Sequence, residues 1–282
     1  RSLNDNRSFI IGRWRMDCKI IKFILFIIIP FNSYAAEFQG SFKQGSFILG
    51  KTEPGSEVFI DKRKIRVTNE GFFAFGLDRD RKNDVTIKIQ KDSKFKTIYK
   101  KVLKREYKIQ KIDGLPPKQV TPPPEVYERI KKDNKLIGEA RSLNTAYDFF
   151  KDKFIYPVEK YVITGVYGSQ RILNGKPRRP HYGIDFHAPE GTPVKAMLDG
   201  EVTLAENDMY FTGGTIIFDH GHGISTLFMH MKDINVKVGQ RVRQGEIVGT
   251  LGQSGRATGP HLDIRLNWFN VKLDPATILN LN

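Results

Sequence analysis

The chain has 282 residues, enough for one large or two modest domains, and its 39% hydrophobic and 27% charged residues are an ordinary globular composition. Its 46 Lys and Arg against 31 Asp and Glu give a net charge of +15, which favours an anionic partner such as nucleic acid, a phospholipid surface or an acidic cell-wall polymer. The basic residues are not interleaved with clustered aromatic residues, so we expect no nucleic-acid-binding platform.

The segment after Met16 has the order of a secretory signal peptide: basic residues, the apolar run 23–31, and small residues through Ala36. The apolar run is shorter than the roughly 20 residues that a membrane helix needs. We therefore expect residues 1–36 to be an upstream extension and a cleaved signal, with no stable membrane insertion after cleavage; an uncleaved anchor is the alternative. The product would be exported to the periplasm or cell envelope, and the only cysteine, Cys18, would leave with the signal.

Residues 37–113 predict a small antiparallel β-sandwich. Short apolar runs such as 57–60 and 72–75 are separated by glycine, proline or asparagine residues, and in 85–89 and 95–99 the side chains alternate with a period of two. The segment contains no histidine, so we expect an accessory or wall-binding module without catalysis.

Residues 114–153 predict a Pro-rich linker followed by a helix. The prolines of 116–117 and 122–124 prevent continued strand pairing and favour an extended chain. Thr121 suits a helix N-cap with prolines in the first turn, and apolar residues at helical spacing predict a helix over 125–141. We expect this helix to pack on the C-terminal domain or to space the two domains.

Residues 154–282 return to short strands and tight glycine turns, without a convincing helix, so we expect a second all-β domain. The predicted fold class is therefore mainly β. All six histidines of the chain lie between His181 and His261, which places the chemistry in this C-terminal domain.

Histidine and aspartate residues of this domain predict a metal site. His181 and Asp185 are four residues apart, and Gly183 between them argues against a helix, so both belong to a strand or an extended loop. Neutral imidazole and carboxylate are ligands that zinc accepts. Three such ligands with an open fourth position make a hydrolytic centre.

Two further strands carry polar side chains. In one strand, His261, Asp263 and Arg265 alternate with apolar residues, so the three polar side chains should face a cleft. In the other strand, alternate residues of 224–230 share one face, and this face is expected to carry His230 into the same cleft.

Other motifs surround these residues in a fixed order: 188–194, 199–202, 219–221, 238–245 and 259–261. Together with His181, Asp185 and His230, they resemble the lysostaphin-type (LytM-like) zinc endopeptidases, which cut peptidoglycan cross-links. The resemblance covers about residues 154–276. The N-terminal region through 114–117 resembles, in addition, the accessory β domain of periplasmic members.

The resemblance implies one zinc ion as cofactor, peptidoglycan as substrate and an antiparallel β peptidase domain. In that family, the histidine and aspartate of the first motif hold zinc and two further histidines serve the reaction. Carried over, His181 and Asp185 would be ligands, and His230 and His261 would be the catalytic pair. The protein would hydrolyse a peptide bond in the cross-links or stem peptides of peptidoglycan.

The chain departs from the family at the third ligand. The family has a histidine two residues after the Gly-Pro-His motif, where this chain has Asp263, and Arg265 replaces the acidic residue that follows. Zinc accepts carboxylate oxygen at roughly 2.0–2.2 Å, so Asp263 is a competent ligand. Two carboxylates would leave the bound water less acidic and move the pH optimum upward. The alternatives are that Asp263 pairs only with Arg265 and no metal binds, or that His187 substitutes as a ligand.

Two other functions remain open. One is a catalytically inactive relative that binds the wall or activates an amidase, although such relatives lose ligands and catalytic histidines together. The other is a biotinyl or lipoyl carrier barrel built on 238–245, but Lys232 precedes the hairpin in which a carrier lysine should lie.

The remaining polar residues have structural as well as functional interpretations. His220 and His222 are expected to hydrogen-bond backbone groups of a glycine-rich turn. Tyr210 and Thr212 either line the groove and offer hydroxyls to an oxyanion or belong to a plain turn. Arg178 and Arg179 are charges of a solvated loop or attract the carboxylates of wall peptides.

Overall fold

Strands dominate the computed structural model of the chain, which describes residues 36–113 and 122–279. The predicted mainly β class is therefore confirmed. The predicted extension and signal, residues 1–36, lie outside the described residues except for Ala36. Within the described ranges, no helix is both long enough and apolar enough to cross a membrane.

The described part of the N-terminal region consists of short strands, as the sequence predicted. The strands are β1 (Glu37–Gln39), β2 (Phe47–Lys51), β3 (Glu57–Ile60), β4 (Arg63–Ile65), β5 (Phe72–Gly76), β6 (Val85–Lys91), β7 (Lys94–Lys100) and β8 (Ile109–Ile112). Antiparallel pairing joins β1, β2 and β5 in one sheet and β4, β3, β6 and β7 in another. In β6 the apolar residues are buried and the intervening polar ones are half-buried, as period-two alternation requires.

A helix follows the part of the linker that lies outside the described residues, which includes Thr121. A 3₁₀ turn, Pro124–Val126, leads into helix α1 (Tyr127–Arg141). The prolines lie in and before the 3₁₀ turn. The first N–H groups of a helical segment have no acceptor within it, so the missing N–H groups of proline cost no hydrogen bond here. The predicted helix is present, and Val126 precedes its first residue without a side-chain cap. A second 3₁₀ turn spans Phe149–Lys151.

Between residues 154 and 279, the structure describes twelve further strands and a short helix. They are β9 (Val162–Gly165), β10 (Gln170–Leu173), β11 (Lys176–Pro177), β12 (Ile184–His187), β13 (Pro193–Lys195), β14 (Gly200–Met209), β15 (Gly213–Gly221), β16 (Ile224–Ile234), β17 (Arg241–Val242), β18 (Ile247–Leu251), β19 (Leu262–Trp268), β20 (Val271–Leu273) and α2 (Ala276–Leu279). The helix α2 is absent from the sequence-based expectation. Its local signal is Asp274, whose Oδ1 accepts a hydrogen bond from the N–H of Ala276.

One large antiparallel sheet organises these strands in the order β17-β14-β15-β16-β19-β12-β9, and β13, β18 and β20 pair at its margins. The central strand β15 is buried along its whole length, whereas β9 at the end of the order is partly exposed. A separate small sheet joins β11, β10 and β8, and β8 runs parallel to β10. The N-terminal region is thus connected to the C-terminal region by strand pairing as well as by sequence.

A continuous hydrophobic core spans both regions. Phe75 of β5 contacts Trp268 of β19 edge to face, with 6.4 Å between the ring centroids. Arg105 forms an ion pair with Asp274, whose side chain is 2% exposed. Because an unpaired carboxylate at this depth would be costly, the Arg105 guanidinium stabilises the junction of the two regions.

Candidate metal centre

Two neighbouring strands bring the predicted carboxylates together. Strands β12 and β19 are antiparallel, and Asp185 lies directly opposite Asp263 in their register. His181 lies in the loop that enters β12. One ligand-type atom from each of the three residues lies within 4.8 Å of the others, so a single ion can contact all three.

The orientation of His181 suits a metal ligand. Its Nδ1 lies 3.3 Å from the backbone oxygen of Val166, so this nitrogen donates a proton to the carbonyl. The Nε2 atom faces both carboxylates, 3.2 Å from Asp185 Oδ1 and 3.3 Å from Asp263 Oδ2. An imidazole anchored through one nitrogen to a carbonyl, with the other nitrogen directed to the site, is the usual arrangement of a ligating histidine.

Asp185 supplies a buried oxygen that accepts no hydrogen bond. This atom is Oδ1, and its close polar neighbour is His181 Nε2, 3.2 Å away in an ion-pair contact. Buried carboxylate oxygens are almost always satisfied, so an unsatisfied one is an observation that needs a cause. A divalent cation among these three donors would satisfy it, and the nitrogen and oxygen donor set fits zinc.

Charge is unevenly distributed around the three residues. Burial lowers the pKa of His181, but the carboxylates of Asp185 and Asp263 outweigh burial and raise it to about 10. Burial raises the pKa of Asp263, and the charges of Arg265 and His181 together lower it below its ordinary value. Arg265 Nη2 lies 3.0 Å from Asp263 Oδ2. Asp263 therefore pairs with Arg265 and belongs to the three-residue cluster at the same time.

Two glycines leave room for the carboxylates, a role that the sequence pattern did not predict. A Cβ atom at Gly165 would lie 2.1 Å from Asp185 Oδ2, and one at Gly183 would lie 2.2 Å from Asp263 Oδ1. Gly165 is the register partner of Asp185 on β9. The presence of glycine inside the first motif is the only local signal for this close approach.

The two predicted catalytic histidines lie side by side. The ring centroids of His230 and His261 are 4.7 Å apart, and His261 Nε2 is 4.0 Å from Asp185 Oδ1. Each ring directs Nδ1 to a backbone carbonyl at 2.8 Å, that of Ser254 for His230 and that of Gly259 for His261. Donation from Nδ1 leaves both Nε2 atoms available as acceptors.

The reason predicted for the position of His230 is wrong. In the register of β16 with β19, Phe228 pairs with Ile264, whereas Met229 pairs with Asp263. Strict alternation would therefore place residue 230 on the face of Phe228, away from Asp263. The backbone of His230 has φ of 65°, in the left-handed region, and this interrupts the alternation. The break brings the imidazole to His261.

The other candidate residues lie in separate environments. His187 Nδ1 lies 2.7 Å from the oxygen of Pro260, and this ring is not part of the three-residue cluster. His220 is buried between the oxygen of Asp199 and the hydroxyl of Thr226, which agrees with the structural role predicted for it.

The turn before β15 supports His230. The oxygen of Thr212 accepts the backbone N–H of His230, and the N–H of Tyr210 donates to Asp133 of α1. These contacts involve the backbone of Tyr210 and Thr212, so a role of their hydroxyls in the reaction stays a prediction.

Helix α1 covers part of the sheet face that carries Asp263. Leu227 and Met229 of β16 are the register partners of Arg265 and Asp263, so these residues share one face. On that face, Ala140 of α1 belongs to the buried hydrophobic cluster that includes both of them. The predicted packing of the helix on the C-terminal region is confirmed.

Comparisons with known proteins agree with this geometry. Residues 179–275 match peptidase family M23. The chain is 39% identical over 113 residues to peptidoglycan DD-endopeptidase ShyA of Vibrio cholerae, across 39% of this chain and 26% of that protein. It is 41% identical over 100 residues to DD-carboxypeptidase/endopeptidase Mpg of Neisseria meningitidis, across 36% of this chain and 23% of that protein. The chain thus spans about a quarter of the length of these curated relatives.

A solved structure supports the fold over a longer range. A Pseudomonas aeruginosa protein assigned to peptidase M23 superimposes with a TM-score of 0.66 at 24% identity, across 85% of this chain and 95% of that chain. At this identity the likeness concerns the fold alone. The family match and the named relatives point the same way, and residues 179–275 of this chain are therefore similar in sequence to peptidase family M23.

Proposed function

We propose that this protein is a zinc-dependent endopeptidase that hydrolyses peptide bonds in the cross-links or stem peptides of bacterial peptidoglycan. The observation that carries the proposal is the convergence of His181, Asp185 and Asp263 within 4.8 Å, beside the His230 and His261 pair, in the segment that matches peptidase family M23. The names of the aligned relatives, a peptidoglycan DD-endopeptidase and a DD-carboxypeptidase/endopeptidase, support the substrate class.

His181, Asp185 and Asp263 would hold one zinc ion. The Nε2 atom of His181 and the buried Oδ1 of Asp185, which accepts no hydrogen bond, support this assignment, and Asp263 replaces the histidine that the family resemblance leads us to expect. When bound, zinc supplies a Lewis acid that polarises the scissile carbonyl and lowers the pKa of a water molecule.

His230 and His261 would move the protons of the reaction. Burial lowers the pKa of His230, so this imidazole is neutral near pH 7 and able to accept a proton. Hydrogen bonds from Nδ1 to Ser254 and Gly259 fix both rings and leave each Nε2 as the acceptor. One ring takes the proton of the attacking water, and the other, when protonated, stabilises the oxyanion or protonates the departing amine.

An export signal and a cell-wall substrate predict the same location. The signal predicted within residues 1–36 and the wall-directed relatives together support a place in the periplasm or cell envelope. An inactive regulator is the less favoured alternative, because both histidines and both aspartates are retained beside His181.

Metal analysis combined with digestion of purified peptidoglycan tests the proposal. We expect the wild-type protein to bind one zinc ion per chain and to release peptides. Asp263→Ala should lose both properties, because it removes one of three ligands. Asp152→Ala alters an exposed carboxylate and serves as the matched control, which should retain both.

A second variant separates loss of the ligand from damage to the fold. Asp263→His supplies the imidazole that the resemblance expects at this position, so it should bind zinc and release peptides. A wild-type protein that binds no zinc and leaves the peptidoglycan intact would exclude the enzyme and favour the regulator.

A further inference from the structure

Helix α1 contacts the hairpin loop that joins strands β14 and β15. This loop consists of residues 210–212. Its first backbone N–H, that of Tyr210, donates to Oδ2 of the half-buried Asp133 of the helix at 2.8 Å. A charged carboxylate makes a stronger hydrogen bond to a backbone N–H than a neutral acceptor does. Asp133 therefore fixes the point at which the chain leaves β14.

A second charged side chain of α1 binds the end of β14. Arg129 lies one turn before Asp133, on the same side of the helix. Its Nη2 donates to the backbone oxygen of Asp208 at 2.6 Å and lies 2.9 Å from Asp208 Oδ2. The guanidinium carbon of Arg129 also lies 5.8 Å from the centroid of the Tyr210 ring. The loop is thus bound to the helix at two successive turns.

The apolar side of α1 packs against the residues that precede the loop and His230. Met209 ends β14, and Met229 lies directly before His230 in β16. Both methionines are buried in the hydrophobic cluster that contains Ala140 of the helix. Because close packing resists displacement, the helix is fixed relative to both strands.

The other end of the loop is bonded to His230. The backbone oxygen of Thr212 accepts the N–H of His230 at 2.8 Å. His230 is 8% exposed and has φ of 65°, a left-handed conformation that a residue other than glycine keeps only when its surroundings over-determine it. The bond to Thr212 is one of the contacts that hold this conformation. The loop therefore contributes to the direction of the imidazole.

The loop also contacts the segment that bonds the His230 ring. The oxygen of Ser254 lies 2.8 Å from Nδ1 of His230, and Ser254 Oγ accepts the N–H of Gly214 at 2.8 Å. Two residues further, the N–H of Arg256 donates to the oxygen of Phe211 at 3.0 Å. The loop thus lies between α1 and this segment, so a shift of the loop changes both supports of the histidine.

We propose that Asp133 is a positioning residue, which sets the orientation of His230 through the hairpin loop. This inference rests on the proposed function, in which His230 moves a proton. Asp133 bonds the N–H of Tyr210 at the start of the loop, and Thr212 bonds the N–H of His230 at its end. The helix lies outside the segment that matches the family. A part of the chain beyond that match therefore contributes to the geometry of the site.

Removal of the Asp133 carboxylate from the full-length protein tests the proposal. We expect Asp133→Ala to lower kcat by about ten- to hundredfold, because a small displacement of a reacting group has an effect of this size. KM and zinc content should stay the same, since the substitution touches no metal ligand. Asp133→Asn keeps an oxygen that accepts the N–H of Tyr210, so it should restore most of the rate.

Asn134→Ala is the matched control, because Asn134 is the next residue of the same helix and is exposed. Alanine favours the helix more than aspartate or asparagine does, so neither alanine variant weakens α1 itself. Asn134→Ala should keep the wild-type kcat. An unchanged kcat in Asp133→Ala, or equal losses in the two alanine variants, would overturn the proposal.

The variant His230→Gln shows whether Asp133 acts through this histidine. In that background, Asp133→Ala should change the remaining kcat by less than about twofold, because the effects of residues that act through one another do not add. If Asp133→Ala instead causes the same loss as in the wild-type protein, Asp133 acts elsewhere and the proposal fails.

Hydrogen exchange separates the positioning role from the reaction. The backbone N–H of His230 exchanges with solvent when its bond to Thr212 opens. Asp133→Ala should make this exchange about tenfold faster, the size of one hydrogen bond, whereas Asn134→Ala should not. Faster exchange in a protein that cleaves no peptidoglycan would count against the proposed function and leave the positioning intact. Unchanged exchange in Asp133→Ala would overturn the positioning, whether or not the protein is an enzyme.

Discussion

The carboxylates of the candidate metal centre need two positions without a side chain. A Cβ atom at Gly165 would meet Asp185 at 2.1 Å, and one at Gly183 would meet Asp263 at 2.2 Å. Both distances are too short for van der Waals contact, so alanine at either position must displace the facing carboxylate. We predict that Gly165→Ala and Gly183→Ala each lower zinc affinity by about tenfold or more, as misplaced ligand orientation does. Zinc titration against a competing chelator measures this.

Gly259 provides the matched control for the two glycine variants. It also lies beside a site residue, His261, but a Cβ atom there would meet nothing within 4 Å. Gly259→Ala should therefore leave zinc affinity unchanged. Unchanged affinity in all three variants would mean that Asp185 and Asp263 do not hold the metal.

His230 and His261 should affect the reaction rate without affecting the metal. Their Nε2 atoms are not among the three clustered ligand-type atoms. We predict that His230→Gln and His261→Gln each lower kcat by about 10²–10⁴, the usual contribution of general acid–base catalysis, and keep one zinc ion per chain. Steady-state kinetics and metal analysis on the same preparations test this.

The outcome for His230 and His261 distinguishes proton transfer from ligation. Loss of zinc together with activity would assign the altered histidine to the metal site instead. Activity within about twofold of the wild type, at full zinc content, would remove that histidine from the reaction altogether. Unfolding temperatures of both variants, measured in parallel, exclude a general loss of structure.

The alternation of polar and apolar residues predicted which residues form the site better than it predicted the directions of their side chains. Alternation correctly identified the apolar face of β19, where Leu262, Ile264 and Leu266 are fully buried. It thereby placed Asp263 on the opposite face of the strand. Alternation failed at His230 because a single left-handed residue reverses the side-chain direction. Histidine, like asparagine and aspartate, is enriched in this region, but most histidines do not adopt it, so the residue type alone does not predict the break at this position.

At the scale of elements, helix α1 depends on contacts with the large sheet. Leu227 is 3% exposed and lies in the cluster that receives Ala140 of the helix. We predict that Leu227→Ala lowers the free energy of unfolding by about 2–4 kcal/mol, because the cavity adds to the lost burial. Chemical denaturation measures this, and hydrogen exchange should become faster within α1.

Val238→Ala is the control for the helix contact, since Val238 is 60% exposed and should change the free energy of unfolding by less than about 0.5 kcal/mol. If Leu227→Ala leaves exchange in α1 unchanged, the helix does not depend on this cluster.

Strands were predictable where their signal is local. The run Glu57–Ile60 forms β3, because a short apolar run with β-branched and aromatic residues between turns can be recognised without knowledge of a distant partner. The pairing of β8 with β10 was not predicted. It joins Ile109–Ile112 to Gln170–Leu173 in parallel, and neither segment carries a sequence feature that specifies the other. Pairing of this kind depends on the three-dimensional fold of the intervening chain.

At the scale of the whole molecule, buried histidines make stability depend on pH. Burial lowers the pKa of His220 to about 4, and burial with the nearby charge of Arg66 lowers the pKa of His222 to about 4. In the unfolded chain both groups take up a proton near pH 6.5. Below that pH the unfolded state binds protons that the folded state does not, so stability falls as the pH decreases toward 4.

The pH dependence is best tested by comparing variants of the metal-free protein. We predict that stability falls by roughly 2–4 kcal/mol per buried histidine between about pH 6.5 and pH 4, and that His220→Gln removes one such contribution. Burial raises the pKa of Asp219, and this opposes the trend equally in the wild-type protein and in His220→Gln. Denaturant unfolding at pH 7.5, 5.5 and 4.5 measures how the free energy of unfolding changes with pH. Equal slopes for His220→Gln and the wild type would show that His220 is protonated in the folded protein.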